Sequence, residues 1–249
     1  MRTAIIAAGL FVAAATVGQA DTPWSGFYAG VGVGFTSYGQ VLATRSAEIN
    51  GVPQALDDPR GITGHAFGGY RRRNGAMVWG GELEAQIGNA SFGVSSCADG
   101  GEAPCASAGL VGDLSTTGRL RLTAGYLVDD RTLLFGSVGF AAAAASIDGV
   151  YAVTHIDGPP GLALAAFGPP ASTTAVGYTL GLGVEHLVAP RMSLRFGITY
   201  DRLVARPGFS SWAQSLYNVP PDLAIAVADQ DEIVGFRNLG VAISAVYRF

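Results

Sequence analysis

Lysine is absent from the 249-residue sequence, and only 14% of the residues are charged, whereas roughly a quarter are charged in most globular domains. Every basic residue is therefore an arginine, and the formal net charge is −4. An acidic chain with so few cations lacks the basic surface that nucleic acids require, so we expect no nucleic-acid partner.

Long apolar runs are also missing, except near the start of the chain. Arg2 precedes the apolar segment Ala4–Val17, and Gly18-Gln19-Ala20 forms a small-x-small cleavage site. These features predict a signal peptide over residues 1–20, cleaved after Ala20, and a single mature domain over residues 21–249. No later run is long enough to predict a transmembrane helix.

Alternating apolar residues are abundant, and the chain contains 36 glycines. Side chains of a strand alternate between its two faces, so alternation over about ten residues indicates a tilted strand with one face in lipid. Eight such segments are present: Phe27–Phe35, Ile62–Arg71, Met77–Ile87, Thr117–Val128, Leu133–Ala145, Val176–His186, Met192–Asp201 and Leu239–Phe249. Glycines blur the second segment, and the fifth is apolar on both faces, so its register stays open.

The connections alternate between short and long. Short ones are predicted at Arg72–Ala76, Asp129–Thr132 and Leu187–Arg191, and long ones at Thr36–Gly61, Gly88–Thr116, Ser146–Ala175 and Arg202–Asn238. Eight strands with this alternation predict an all-β fold, an eight-stranded antiparallel up-and-down transmembrane β-barrel with short periplasmic turns and long outer loops.

Four sequence motifs resemble one family. They are Trp24–Gly30 (WSGFYAG), Arg119–Tyr126 (RLRLTAGY) followed by Asp129-Asp130-Arg131, Gly181–His186 (GLGVEH) and the ending Leu239–Phe249. These motifs resemble the alphaproteobacterial porin-like outer-membrane proteins. The resemblance implies location in the cell outer membrane, contact with outer-membrane lipid and lipopolysaccharide, and insertion by the barrel assembly machinery, with Tyr247 and Phe249 as part of the assembly signal.

Charges in the predicted strands share the inward face. They are the acids Glu82, Glu84, Glu185 and Asp201 and the bases Arg119, Arg121, Arg195 and Arg248. Charges in a narrow interior must pair or cost several kcal/mol each. We expect a self-neutralised plug, with Arg121 and Glu84 as one candidate pair, because eight strands leave an interior about filled by side chains. The alternative is a charged constriction in a small-solute porin.

Other candidate sites are sparse. His65, His155 and His186 are scattered, and no Ser–His spacing suggests a lipid-modifying enzyme, so we predict no enzymatic activity, no metal site and no cofactor. The predicted outer loops are acidic, which leaves open a surface adhesin or ligand receptor whose ligand the sequence does not name.

Cys97 and Cys105 are the only two cysteines, and they bracket a Gly-Gly pair in one predicted loop. In the oxidising envelope that a signal peptide implies, we expect them to form a disulfide. A thiol-specific reagent should therefore label neither residue in native, unreduced protein and should label both after reduction. Labelling of either residue without reductant would contradict the bridge.

Overall fold

A computed structural model describes residues 23–43, 54–55, 60–97, 107–156, 162–167, 171–205 and 233–249. The strands are β1 Gly26–Ala43, β2 Gln54–Ala55, β3 Arg60–Asn74, β4 Met77–Cys97, β5 Ser107–Leu127, β6 Thr132–Ile156, β7 Leu162–Phe167, β8 Ala171–Ala189, β9 Met192–Ala205 and β10 Ile233–Arg248. Within these residues, no helix is long and apolar enough to cross a membrane. The predicted signal peptide and Cys105 lie outside the described residues, so the cleavage site and the disulfide stay predictions.

The eight long strands form a closed barrel. Each pairs antiparallel with its neighbours, in the order β1, β3, β4, β5, β6, β8, β9 and β10, and β10 returns to pair with β1. The short strands β2 and β7 add to β4 and β6. Closure gives the backbone groups of every long strand partners on both sides, as a bilayer requires. The predicted eight-stranded antiparallel barrel is thus confirmed.

Three tight connections gather at the end of the barrel where the described chain begins and ends. They lie at Gly75-Ala76, at 128–131 and at 190–191. In the second, the Arg131 N–H donates a 2.7 Å hydrogen bond to the Asp129 carboxylate and thereby lowers the pKa of that carboxyl group. At the same end the Phe249 N–H donates to the Phe27 carbonyl at 3.1 Å, so both ends of the described chain are held together.

The outer halves of several strands are longer than the sequence indicates. β4 and β5 have 21 residues each and β6 has 25, about 80 Å at the usual rise of a strand, whereas the hydrocarbon core is about 30 Å thick. The prediction of loops at Gly88–Thr116 and Ser146–Ala175 was therefore wrong in part, because strands occupy parts of both ranges. Cys97 belongs to β4 and His155 to β6. Above the membrane neither face meets lipid, so the alternation that reveals a membrane strand stops there.

The structure also sets the two registers that the sequence left open. In β3, Phe67 and Arg71 are buried in the interior, whereas Ile62 and Tyr70 are exposed. In β6 the odd-numbered residues Leu133 to Ala145 face inward, and their even-numbered neighbours face outward. Alanine and glycine occupy both faces of β6, so hydrophobicity alone could not distinguish the faces.

The outward face carries most of the large apolar side chains. Ile62 is 80% exposed, Phe140 76% and Leu122 71%, values that suit a surface in contact with lipid rather than water. Near the turn end, aromatic side chains form a girdle that comprises Phe27, Tyr70, Trp79, Tyr126, Tyr247 and Phe249. Aromatic rings concentrate at membrane interfaces, so the girdle marks one edge of the lipid belt.

The Tyr247 and Phe249 rings lie with their centroids 5.3 Å apart, and Phe249 is 55% exposed. We predict that Phe249→Ala lowers the amount of protein in the outer membrane and leaves the melting of purified barrel nearly unchanged. The ring covers little interior, whereas the resemblance assigns it to the assembly signal. Membrane fractionation and thermal melting measure the two quantities.

Phe27→Ala is the matched control for this variant. Phe27 is 53% exposed at the same end of the barrel but lies at the start of the chain rather than at its last residue. Equal membrane levels of Phe249→Ala and the parent, or an equal loss in Phe27→Ala, would show that Phe249 has no special role in assembly.

Candidate functional site

Glycines on the inward face make room for large side chains that cross the barrel interior. A Cβ on Gly183 would lie 2.6 Å from the Phe135 ring, and one on Gly32 would lie 2.6 Å from the His65 ring. Both distances are shorter than van der Waals contact. The glycine content therefore serves packing, because it lets rings from one strand lie against the bare backbone of the next.

The turn end of the interior is lined by an apolar cluster. Trp24 is 1% exposed and packs in a cluster with Val78, Leu127, Leu133 and Leu187. Its indole N–H donates a 3.0 Å hydrogen bond to the Asp130 carbonyl, so the turn after β5 holds the ring in place. This cluster forms the floor of the barrel interior.

Glu185 is the centre of a buried ion-pair network above this floor. It has no solvent exposure, and three arginines surround it: Arg71 at 2.8 Å, Arg195 at 3.1 Å and Arg248 at 2.5 Å. The Ser193 hydroxyl donates a fourth bond at 2.6 Å. The carboxylate thus has two charged donors on one oxygen and a charged and a neutral donor on the other, which replaces its lost hydration.

Glu82 extends this network across the interior. Its carboxylate accepts from Arg195 at 2.6 Å, from Arg121 at 2.7 Å and from the Tyr28 hydroxyl at 2.8 Å. Arg195 therefore bridges Glu82 and Glu185, which belong to β4 and β8. These two strands lie on different sides of the barrel, so the bridge ties opposite walls together.

A second group of charges lies farther from the floor. Arg119 donates to Asp201 at 2.6 and 3.0 Å, to Glu84 at 2.5 Å and to the Gln86 side-chain oxygen at 2.8 Å. Arg121 contacts Glu84 as well as Glu82, and this contact joins the two groups. The predicted pair Arg121 and Glu84 thus does form, but it is part of a larger network and is not isolated.

Aromatic faces cover the guanidinium groups. The guanidinium carbon of Arg71 lies 4.1 Å from the Tyr28 ring centroid, that of Arg195 lies 4.2 Å from Phe67, and that of Arg248 lies 4.4 Å from Trp24. Each of these arginines has one buried terminal nitrogen without a hydrogen-bond partner in the described part of the chain. The rings offset that loss through cation–π attraction, which is strongest where water is excluded.

One small cavity lies beside the charges. A cavity of about 50 Å³ is lined by residues that include Thr63, Glu84, Ser137 and Arg195. Since one water needs roughly 10–15 Å³ of such volume, this space holds only a few waters. Among the described residues, no group of histidine, cysteine, aspartate and glutamate is arranged to hold a metal ion.

The outer membrane protein β-barrel domain family matches residues 4–249 of the chain. The chain belongs to this family. The protein is therefore located in the outer membrane, and the closed barrel is its membrane-spanning domain. No curated protein matches the sequence.

Several solved structures of outer-membrane proteins are similar to this barrel. Neisserial surface protein A has 12% identity and a TM-score of 0.45, with 90% of this chain and 98% of that chain covered. OprG from Pseudomonas aeruginosa has 11% identity and a TM-score of 0.44, with 92% and 99% covered. Ail of Yersinia pestis, solved with the heparin analogue sucrose octasulfate, has 14% identity and a TM-score of 0.34, with 90% and 99% covered.

All eight charged residues that the sequence assigned to the interior are buried there, and the structure adds a ninth, Arg71. The described interior therefore holds five arginines and four acids. Glycines hid the alternation of β3, but Arg71 lies an even number of residues after Phe67, and this parity could have placed both side chains on one face. His186 lies outside the network, on β8 near its turn end, where its ring is hydrogen-bonded to the Thr132 hydroxyl.

The structure also brings His65 and Ser244 within 2.9 Å, a contact between β3 and β10 that no sequence spacing indicated. Both residues line the small cavity. Among the described residues, His65 has no carboxylate hydrogen-bonded to its ring to orient it as a base. The pair therefore lacks the third group of a nucleophilic site, the one that orients the base. Its hydrogen bond instead joins two strands that are distant in sequence.

Because three arginines surround Glu185, we predict that Glu185→Gln destabilises the barrel by about 3–5 kcal/mol. The substitution preserves shape but leaves buried guanidinium groups without a counter-charge. Chemical unfolding of refolded barrel in one detergent measures the difference.

Thr179→Val is the matched control, because Thr179 is also fully buried in β8 and its hydroxyl has no hydrogen-bond partner in the described residues. We expect this variant to be neutral or slightly stabilising. Equal stability of Glu185→Gln and the parent would mean that the network contributes nothing to the fold.

Proposed function

We propose that this outer-membrane protein is a structural barrel whose interior is plugged and that it does not conduct solutes freely. The observation that supports the proposal is the buried network around Glu82 and Glu185. Its side chains come from β1, β3, β4, β5, β8, β9 and β10, and β6 contributes the Phe135 ring. The network therefore spans the whole cross-section.

Energetics favour the plug over an open pore. A charge that loses its hydration needs nearby opposite charges and hydrogen bonds, and each acid here has at least one arginine within 3.1 Å. In an open aqueous channel such close pairing would not be required, because water would solvate the charges. The small-solute porin is thus the weaker alternative for this interior.

A second candidate function, a surface adhesin or ligand receptor, is favoured by the sheet that continues beyond the membrane. β4, β5 and β6 extend past their neighbours, and the short strands β2 and β7 pair with β4 and β6. A sheet that continues from the barrel beyond the lipid belt could present a binding surface to the cell exterior. This role is compatible with the plug, since the two lie at different heights.

Other features of the proposal follow the family resemblance. The motifs around Trp24, Arg119 and Gly181 support the alphaproteobacterial porin-like subtype, and the ending at Phe249 supports insertion by the barrel assembly machinery. We propose no catalytic role for the His65–Ser244 pair, because a cavity that holds only a few waters has no room for a substrate.

Single-channel recording in planar bilayers tests the plug. The parent barrel should stay closed, whereas Arg195→Ala should open a small, steady conductance, because it removes the bridge between Glu82 and Glu185 and leaves a void. The same variant should lose about 3–5 kcal/mol of stability, since both acids lose a partner.

Arg195→Met is the control that separates charge from volume. Methionine refills much of the space without the charge, so this variant should be destabilised but conduct less than Arg195→Ala. Large, steady channels in the parent would overturn the plug and support the porin. An Arg195→Ala barrel that stays closed would show that Arg195 is not part of the barrier.

A further inference from the structure

The interior of the barrel has more positive than negative charges. Its described part holds five arginines and four acids, all of them buried. Glu82 and Glu185 are each shared by three arginines. Sharing places every arginine near an acid, but one positive charge still lacks a counter-charge. A net charge is costly in a space that excludes bulk water, so the described interior calls for one more negative charge.

Two of these arginines also have an N–H group without an acceptor. Arg121 Nε and Arg195 Nη2 are buried and have no hydrogen-bond partner in the described part of the chain. The rings of Phe67 and Phe135 lie 4.2 and 5.1 Å from the Arg195 guanidinium carbon. Cation–π contact attracts the charge, but a ring has no lone pair for an in-plane N–H bond. Both nitrogen atoms therefore need an acceptor that the described residues do not supply.

The same two arginines meet beside the small cavity of the interior. Both line it, and both donate to Glu82, Arg121 at 2.7 Å and Arg195 at 2.6 Å, so their guanidinium groups lie on the two oxygens of one carboxylate. Ser137 and Thr199 also line the cavity, and their hydroxyl groups can donate hydrogen bonds. A volume of about 50 Å³ is enough for a few waters, and it therefore also accommodates an ion only slightly larger than water.

We propose that this cavity binds one small monovalent anion, a halide such as chloride, which is the missing counter-charge of the ion-pair network. Arg121 and Arg195 hold the anion through charge-assisted hydrogen bonds. A single negative charge balances the one unpaired arginine. A divalent oxyanion such as sulfate is larger, and its second charge would lie near Glu84 and Asp201, which line the same cavity.

The halide site and the plug are separate proposals. The plug concerns solutes that would have to pass the whole network, whereas the halide is a resident ion of one cavity beside it. A barrel that stays closed in planar bilayers but shows no response to halides would therefore overturn the halide site alone.

Thermal melting of the purified, refolded barrel at constant ionic strength tests the site. Chloride or bromide should raise the melting temperature in a saturable way when it replaces gluconate, a monovalent anion too large for the cavity. The stabilisation follows from an anion that binds the folded barrel and not the unfolded chain. A crystal soaked in bromide should show an anomalous scattering peak in the cavity between Arg121 and Arg195.

Arg121→Gln is the variant that removes the unpaired charge and still leaves each acid an arginine. Glu82 keeps Arg195 at 2.6 Å, and Glu84 keeps Arg119 at 2.5 Å. Half-saturation of this variant should need at least about tenfold more halide than half-saturation of the parent.

Arg72→Gln is the matched control, because it removes an arginine that is exposed on the outer face of β3. It should respond to halides like the parent. Equal melting of the parent in halide and in gluconate would overturn the site, and so would equal half-saturation of the parent and Arg121→Gln. Bromide found only outside the cavity would overturn it as well. The comparison of anions on the parent is decisive even if Arg121→Gln does not fold.

Discussion

The constraint on which this structure depends is that backbone hydrogen bonds have no alternative partner in hydrocarbon. A sheet with free edges would leave unpaired N–H and C=O groups in lipid, so β10 must return to β1. Closure divides every strand into an outward and an inward face. The outward face must be apolar, and the inward face receives all remaining side chains in a space too narrow for bulk water.

The interior follows from that division. Charges confined there lose hydration, so they are stable only where several counter-charges and hydroxyl groups converge, as they do on Glu82 and Glu185. Aromatic rings fill the remaining space and cover the guanidinium faces. Glycines such as Gly183 allow those rings to cross close to the backbone. The narrow, poorly hydrated interior therefore accounts for three features together: the paired charges, the packed rings and the high glycine content.

Height along the barrel separates the parts of the molecule. The Trp24 cluster lies at the turn end, the ion-pair network lies in the middle, and the extended strands β4 to β6 reach beyond the membrane. The residues of the ion-pair network on β4 and β5 lie in the membrane-spanning parts of these strands and not in their extensions.

The sequence alone determined the closed barrel, because lipid on one face imposes a strict two-residue period that is readable without any contact information. It also determined which charges of the clearly alternating strands face inward, from Glu82 to Arg248. The sequence did not predict the inward orientation of Arg71 or the register of β6, because glycine and alanine give both faces of these strands similar hydrophobicity. The strand ends above the membrane could not be predicted from the sequence either, because water on both faces imposes no alternation.

Only the tertiary structure decided which acid meets which arginine, that His65 meets Ser244, and that Arg202 faces Arg237. Those contacts join strands that are distant in the chain. They depend on the order and the stagger of the strands, and the two-residue period of a single strand contains no information about either.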